Sequence, residues 1–303
     1  MSNVQSSEIS ASVRSAFNFS VDKFPLSGPD GMQTPWYALF RSDTSDVVGT
    51  GSVTSRYVPH STDDVCALVD AAGEAFGGEV ECKTHFRDGH YVSIQPTRVD
   101  RLKIFGENDN IWPRIIVNAG YDGRAFNASM AYYRDACRNL AMMRRVSGTS
   151  ISIRHTSGLR VHMDALIEQF NELKNGWEHM TEVIQNLEAT NVRMVDFLDQ
   201  IYARPTQEQL ALAATGQAVR AVTVHKNRTE TIWNRLNKER QATGRATLTD
   251  TVSAWEAFNA IQGYVQHDAQ AKTGFKSDFD RIIRASRSPE VQHAEKLVLA
   301  LVA

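Results

Sequence analysis

From Leu166 to Ile201, apolar residues recur at alternating spacings of four and three. They are Leu166, Phe170, Leu173, Trp177, Met180, Ile184, Leu187, Met194, Leu198 and Ile201, with Asn191 as the one polar residue on the stripe. Five heptads of this pattern, ended by Arg204-Pro205, predict a helix of roughly 50 Å at 1.5 Å per residue. An apolar stripe of that length cannot face water and must pack on something. Two partners are open. Val219, Val222, Ile232 and Leu236 can lie back along it as a helical hairpin, or a second copy can complete a coiled coil. Further helices are expected over 207–215, 219–241, 251–267, 276–285 and 289–302, with Gly244 and Gly274 as breaks between them.

The N-terminal half has the other period. Trp36–Phe40 and Val47–Val53 read as strands around the polar turn 42–46. Ser61 to Asp64 supply helix N-cap candidates ahead of an apolar repeat that Gly77-Gly78 stops. Val80, Cys82, Thr84 and Phe86 alternate, as do His90, Val92 and Ile94 beyond Arg87-Asp88-Gly89. That is a hairpin with a three-residue loop and Gly89 in the left-handed region; a two-residue loop would set Val92 opposite His85 and part the apolar faces. A weaker strand is expected over 99–105. A second hairpin turns at Tyr121-Asp122-Gly123, and its strand through Ile115-Ile116-Val117 reads as buried on both faces. A helix over 132–145 and a strand over 149–155 follow. The fold class is therefore α+β. Residues 1–34 are expected to be a flexible arm, 35–160 a β-rich α+β domain, and 161–303 a helical domain.

Cys66, Cys82 and Cys137 are odd in number and widely spaced, which fits a reducing compartment rather than a disulfide framework. Residues 1–20 contain no apolar core of a secretory signal, and no run approaches the length of a membrane span. The cytoplasm is the expected location, with no membrane partner. The chain has no His-Glu-x-x-His, no Cys-x-x-Cys and no complete phosphate loop. Cys137 reads as a buried, inert thiol and Asp122 as turn chemistry. No catalytic residue, metal or cofactor is expected.

Charge is distributed in blocks. Residues 97–160 hold eleven Lys and Arg against five Asp and Glu, and ten of the eleven are arginine. Arginine grips phosphate with a bidentate fork and stacks on bases. Aromatic residues are interleaved with the block and could stack on unpaired bases. Arg134, Arg138, Arg144, Arg145 and Arg154 are the expected phosphate contacts, and Tyr121, Tyr132 and Tyr133 the expected stacking residues.

Several segments also resemble a known family. They are Trp36-Tyr37-Ala38-Leu39, Arg56-Tyr57-Val58-Pro59, Asn118-Ala119-Gly120-Tyr121-Asp122-Gly123, Arg134 with Cys137-Arg138-Asn139, Arg154-His155-Thr156, Trp255, Phe258-Asn259-Ala260, Tyr264 and His267. As an ordered set over about residues 35–270, they resemble the phage- and plasmid-like family known as domain of unknown function 932. That resemblance implies a mobile-element origin and no known catalysis. The hairpin–hairpin–helix order is also similar to the core of phage single-strand annealing proteins of the Red-beta and Erf types. The expected function is non-enzymatic binding of single-stranded DNA (or RNA) by a homo-oligomer in replication or recombination. The alternative is an interaction, structural or counter-defence protein that binds a host protein through its helical region.

Overall fold

The computed structural model describes residues 11–86, 88–121, 125–137, 139–141, 150–153, 161–246, 249–269, 281, 285 and 287–302. The protein is an α+β molecule built largely from antiparallel sheets and helices. It divides into two compact units. The first comprises residues 1–100, 112–131 and 146–179; the second comprises 101–111, 132–145 and 180–303.

The first unit opens with a helical turn at 11–16 and a three-stranded sheet, β1 (Val21–Ser27), β2 (Gln33–Arg41) and β3 (Val47–Thr54), in that order. The expected flexible arm is thus ordered from residue 11 onward: Val13 and Phe17 are buried, and β1 pairs antiparallel with β2. Local sequence hid this strand because Pro25 sits in it. Proline removes a ladder donor, but β1 is an edge strand and tolerates the loss. One face of the sheet joins the core through Val21, Leu39, Val48 and Val53, with Tyr57 and Tyr121. Helix α1 (Thr62–Ala75) follows, opened by a capping box in which Ser61 and Asp64 satisfy each other's backbone donors. It packs on β5 (Gly89–Pro96).

The hairpin β4 (Val80–Phe86)–β5 has the expected register, with Cys82 opposite Ile94 and Thr84 opposite Val92. Its left-handed residue is Asp88, at φ 49°, rather than Gly89. Gly89 is needed for another reason. A Cβ there would stand 2.5 Å from Gly120 Cα and 2.6 Å from the Ala119 carbonyl oxygen, on the neighbouring strand β7 (Asp109–Gly120). Ile115, Ile116 and Val117 on β7 are all buried, as their unbroken run implies. Strand β8 (Phe126–Arg134) lies on the other side of β7, and β10 (Ser150–Ile153) lies beyond it.

In the second unit, β6 (Leu102–Phe105) pairs with the start of β7, and β9 (Asn139–Ala141) pairs with the end of β8. The helix expected over 132–145 is therefore a strand end, a turn and a short strand as far as residue 141; residues 142–149 lie outside the described set. Ala136 and Leu140 imitate a helical spacing. Tyr132 and Arg134 are buried with Tyr133 half-exposed between them, which is strand period.

The long stripe is not one helix. α2 (Val161–Ala189) ends, β11 (Asn191–Arg193) pairs with β12 (Thr251–Ser253), and α3 (Met194–Ile201) then begins. Thr190 turns its hydroxyl onto the Asn186 carbonyl at 2.8 Å, which suits a helix end. Asn191 is exposed and lies on no seam. Phe170, Leu173, Trp177, Met180, Ile184, Leu187, Met194 and Leu198 are buried within the single chain. Helices α4 (Gln207–Ala214), α5 (Arg220–Thr243), α6 (Ala254–Gly263) and α7 (Pro289–Leu299) follow. Ile232 and Leu236 on α5 are buried, while Val219 and Val222 are half-exposed. α6 is the centre of this unit: every one of its 10 residues is buried, and it packs on α5, α7 and β9. It runs on through a π-helical turn at Tyr264–Asp268. The expected segment 276–285 lies almost wholly outside the described residues.

Two glycines give opposite expectations. Gly89→Ala should destabilise the protein by about 3 kcal/mol, because backbone on both strands must move. Gly73→Ala, inside α1 where a Cβ meets nothing within 4 Å, should stabilise by roughly 0.5–1 kcal/mol. Urea unfolding of the two variants checks both signs.

Candidate nucleic-acid interface

Arg138, Arg144, Arg145 and Arg154 lie outside the described residues. The other expected contacts are placed, and three of the four are interior. Arg134 is 1% exposed, Tyr121 1% and Tyr132 0%. Tyr133 is half-exposed on β8. Arg134, Tyr121 and Tyr132 are therefore core groups here, not contact residues.

Arg134 is the hub of a buried charge network in the second unit. Its Nε and Nη2 donate to the two oxygens of Asp109 at 2.7 and 2.8 Å, a bidentate fork. Its Nη1 donates to Glu239 Oε2 at 3.2 Å. Arg245 donates to Asp109 at 3.2 Å and to Glu188 at 2.6 Å. Arg240 donates to both oxygens of Glu256 at 2.8 and 2.7 Å. Ser253 caps α6 and donates its hydroxyl to Glu188 at 2.7 Å. Burial alone would raise the Asp109 carboxyl, but the bonds from Arg134 and Arg245 outweigh it and hold it below the ordinary carboxylate range. Glu239 goes the other way: burial raises it to about 7 against the pull of Arg134 and Arg235. Tyr132 packs beside this network, its ring 5.1 Å from that of Trp255.

Tyr121 belongs to a separate cluster in the first unit. Its ring stacks on His60 at 4.3 Å, and its hydroxyl donates to the His60 carbonyl at 3.1 Å. His60 Nε2 and His90 Nδ1 stand 2.6 Å apart, so one ring must donate and the other accept. His90 is fully buried against Phe17, Phe19 and Phe86. Burial, helped by nearby Arg41, lowers its imidazole to about 3. This is a buried histidine pair, not an exposed base-binding surface.

Exposed aromatic groups occur on the outer face of β1–β2–β3 instead. The register sets Phe24 opposite Ala38 and Phe40 opposite Val47. Strand alternation therefore puts Phe24, Trp36 and Phe40 on the side away from Leu39 and Val48. Phe24 is 52% exposed, Trp36 47% and Val47 59%. Phe24 and Phe40 meet edge to face at 5.4 Å. With Leu26 they border a shallow depression of about 520 Å³. The charges nearby are mixed. Lys23 and Arg41 lie on the opposite, Leu39 side, bonded to the carbonyls of Ser55 and Tyr57 and to Asp43, so the outer face offers rings rather than a field of free cations. The sequence marks 36–40 as a strand, but which side faces outward depends on its pairing with β1, which composition did not reveal.

Cys137 lies in the turn after β8, not in a helix. Its thiol is pushed well up, chiefly by burial, and is a poor nucleophile. Asn139 is bonded to His267 at 3.0 Å and to the Asn259 carbonyl at 3.3 Å. Among the described residues, no group of three or more His, Cys, Asp or Glu is placed to hold a metal, and no helix is long and apolar enough to cross a membrane.

Residues 50–297 match the model of a family described as Domain of unknown function (DUF932). The resemblance in the sequence begins earlier, at Trp36, and ends earlier, near 270. The aromatic face precedes the matched range. No curated protein and no solved structure matches the chain.

Arg134→Ala should cost about 3–5 kcal/mol, because it leaves Asp109 and Glu239 buried without their partner. A stable Arg134→Ala protein with weakened oligonucleotide binding would restore it as a contact residue. For His90, the folded value of about 3 lies below the ordinary 6.5. The folded state therefore binds fewer protons than the unfolded state between these limits. Its stability contribution is full above pH 6.5 and is lost on acidification, by at most about 1.4 kcal/mol per pH unit. Urea midpoints that do not fall between pH 7 and 5 would show that His90 is not held neutral.

Proposed function

We propose that this chain, which belongs to the DUF932 family, is a non-enzymatic protein that binds single-stranded nucleic acid. The observation that carries the reading is the pair of exposed rings, Phe24 and Trp36, with the half-buried Phe40 edge to face against Phe24, on one face of an antiparallel sheet. Unpaired bases stack on aromatic side chains presented this way, whatever their sequence. A duplex hides its base faces, so single strands are preferred. The arginine-rich block at 97–160 supplies the charge that follows the phosphate backbone. The resemblance of the sequence to phage- and plasmid-like proteins motivates the rest of the proposal, a role in replication or recombination of a phage or plasmid as a homo-oligomer in the host cytoplasm; the helix that the likeness to annealing proteins requires is a strand and turn as far as residue 141.

A second reading, a module that binds a protein partner, is favoured by one feature of the helical region. α4 buries no residue, and α5 buries none before Ile232. Leu210, Leu212 and Val224 are exposed there.

Binding of a single-stranded oligonucleotide should quench Trp36 fluorescence and weaken steeply as salt rises from about 50 to 200 mM. Trp36→Ala and Phe24→Ala should each weaken binding about tenfold, within the roughly 1–3 kcal/mol per stacked base. Arg144→Ala with Arg145→Ala should flatten the salt slope and leave the stacking loss unchanged. Absence of binding at low salt to every oligonucleotide would refute the reading.

A further inference from the structure

The second unit contains a cleft of about 510 Å³ that the sheet face does not use. One wall is α5. Thr231, Asn234, Arg235, Lys238, Glu239 and Ala242 line it, at spacings of three and one that make a single helical face. In a helix serving only the core, this face would be apolar or simply solvated. Here it is polar and overlooks a cavity, with Cys137 and Asp135 from the β8–β9 turn, and Asp268, on the other side.

The charges along that wall are graded. Glu239 is 5% exposed, the Arg235 side chain 17%, and Lys238 is exposed. Most are matched already. Glu239 Oε2 accepts from Arg134, and Arg235 Nε donates to Asp268 at 2.5 Å. Gly263 makes room for that arginine, since a Cβ there would stand 2.7 Å from Arg235 Cδ. Two groups are left over. Glu239 Oε1 is buried and accepts no hydrogen bond from the protein; its closest cation, Arg235 Nη1, stands at 3.7 Å. Lys238 has no ion-pair partner among the described residues. A buried carboxylate oxygen without a donor costs about 1–3 kcal/mol or more. Its neighbour on the same helix face, three residues from Arg235, offers a positive charge at the surface.

We propose that this cleft binds a nucleotide, with an amino group of the base donating to Glu239 Oε1 and the phosphate held at the rim by Lys238. The size supports this class, since small-ligand pockets run from about 300 to 1,000 Å³. The two ends of the ligand match the two unmatched groups in sign and depth. Glu239, raised to about 7, is poised to ionise when a donor arrives. The site rests on α5 and the β8–β9 turn, so it stands or falls separately from strand binding on the aromatic face.

The test is calorimetric titration of the full chain with adenosine monophosphate, adenosine, and purine riboside monophosphate, which lacks the amino group. Adenosine monophosphate should bind with a Kd below about 1 mM. It should bind at least about tenfold more tightly than either analogue, the worth of one charge-assisted hydrogen bond. Lys238→Ala, at an exposed position, should weaken the monophosphate about tenfold and leave adenosine unchanged. Glu239→Gln should erase the preference for the amino group; its folding is checked by circular dichroism, and Lys238→Ala stands as the test should it not fold. No binding of any of the three, equal binding of all three, or a Lys238→Ala protein that binds the monophosphate as before would overturn the proposal. Loss of oligonucleotide binding in Trp36→Ala with nucleotide binding intact would separate the two sites.

Discussion

The fork between Arg134 and Asp109 is the interaction on which the second unit depends. Both side chains are out of water, at 1% and 0% exposure. Placing such ions in a low-dielectric interior costs several kcal/mol each unless their bonds are nearly all made. The structure meets that condition with a shared lattice: Asp109 is also held by Arg245, Arg245 by Glu188, and Glu188 by the N-cap serine of α6. Each partner comes from a different element, so the start of β7, the end of β8, α5 and α6 are fixed to one another by charge as well as by packing. An apolar replacement would tolerate sliding. A bidentate fork does not, because a small displacement breaks two directed bonds together.

That fixed frame explains why α6 can be buried on every side while carrying Glu256, Asn259 and Gln262. Glu256 closes the capping box of its own helix and receives both bonds from Arg240. Asn259 bonds the Trp255 carbonyl one turn back. Glu256 and the amide donors of Asn259 and Gln262 are answered locally or by the network, while Trp255 Nε1 and Asn259 Oδ1 are buried without a hydrogen-bond partner among the described residues. Beside them, Glu239 has one oxygen answered and one buried without a donor, on a side chain that lines the cleft.

Much of the fold is legible from local pattern. The first hairpin reads correctly because Val80–Phe86 and His90–Ile94 admit one register that keeps the apolar sets together. The capping box at Ser61, the doubly buried run at Ile115–Val117 and the helices at Gln207–Ala214, Arg220–Thr243 and Pro289–Leu299 are equally local signals; the helix expected from 251 starts only at Ala254, because Thr251–Ser253 pairs as a strand with Asn191–Arg193. The misreadings come from coincidences of spacing. Leu187 and Met194 are seven apart, so the heptad count passes through a three-residue strand without showing it. Ala136 and Leu140 imitate a helix where a turn and a strand stand. β1 is invisible because a proline strand is stable only when another strand covers one of its edges.

The functional residues were less legible, for a reason that lies in the chemistry of arginine. An arginine-rich segment has the same composition whether its forks hold phosphate or buried carboxylates, because both ligands present paired oxygens to the same donors. What separates the two outcomes is the position of Asp109, Glu239 and Glu256, and Glu239 lies 105 residues from Arg134 in sequence. The same holds for tyrosine: Tyr121 and Tyr132 look like stacking residues until His60 and Trp255 are found against them. Phe24, in the segment expected to be a flexible arm, and Trp36, in an expected strand of unassigned facing, are the reverse case: the pairing of β1 with β2 sets both on the outer face. Phe24 gains less for folding than a core phenylalanine, since 52% of it stays exposed. With about half of each side chain exposed, Phe24, Trp36 and Val47 together forgo on the order of 2–4 kcal/mol. That uncovered area is what the proposed single strand would cover, base against ring.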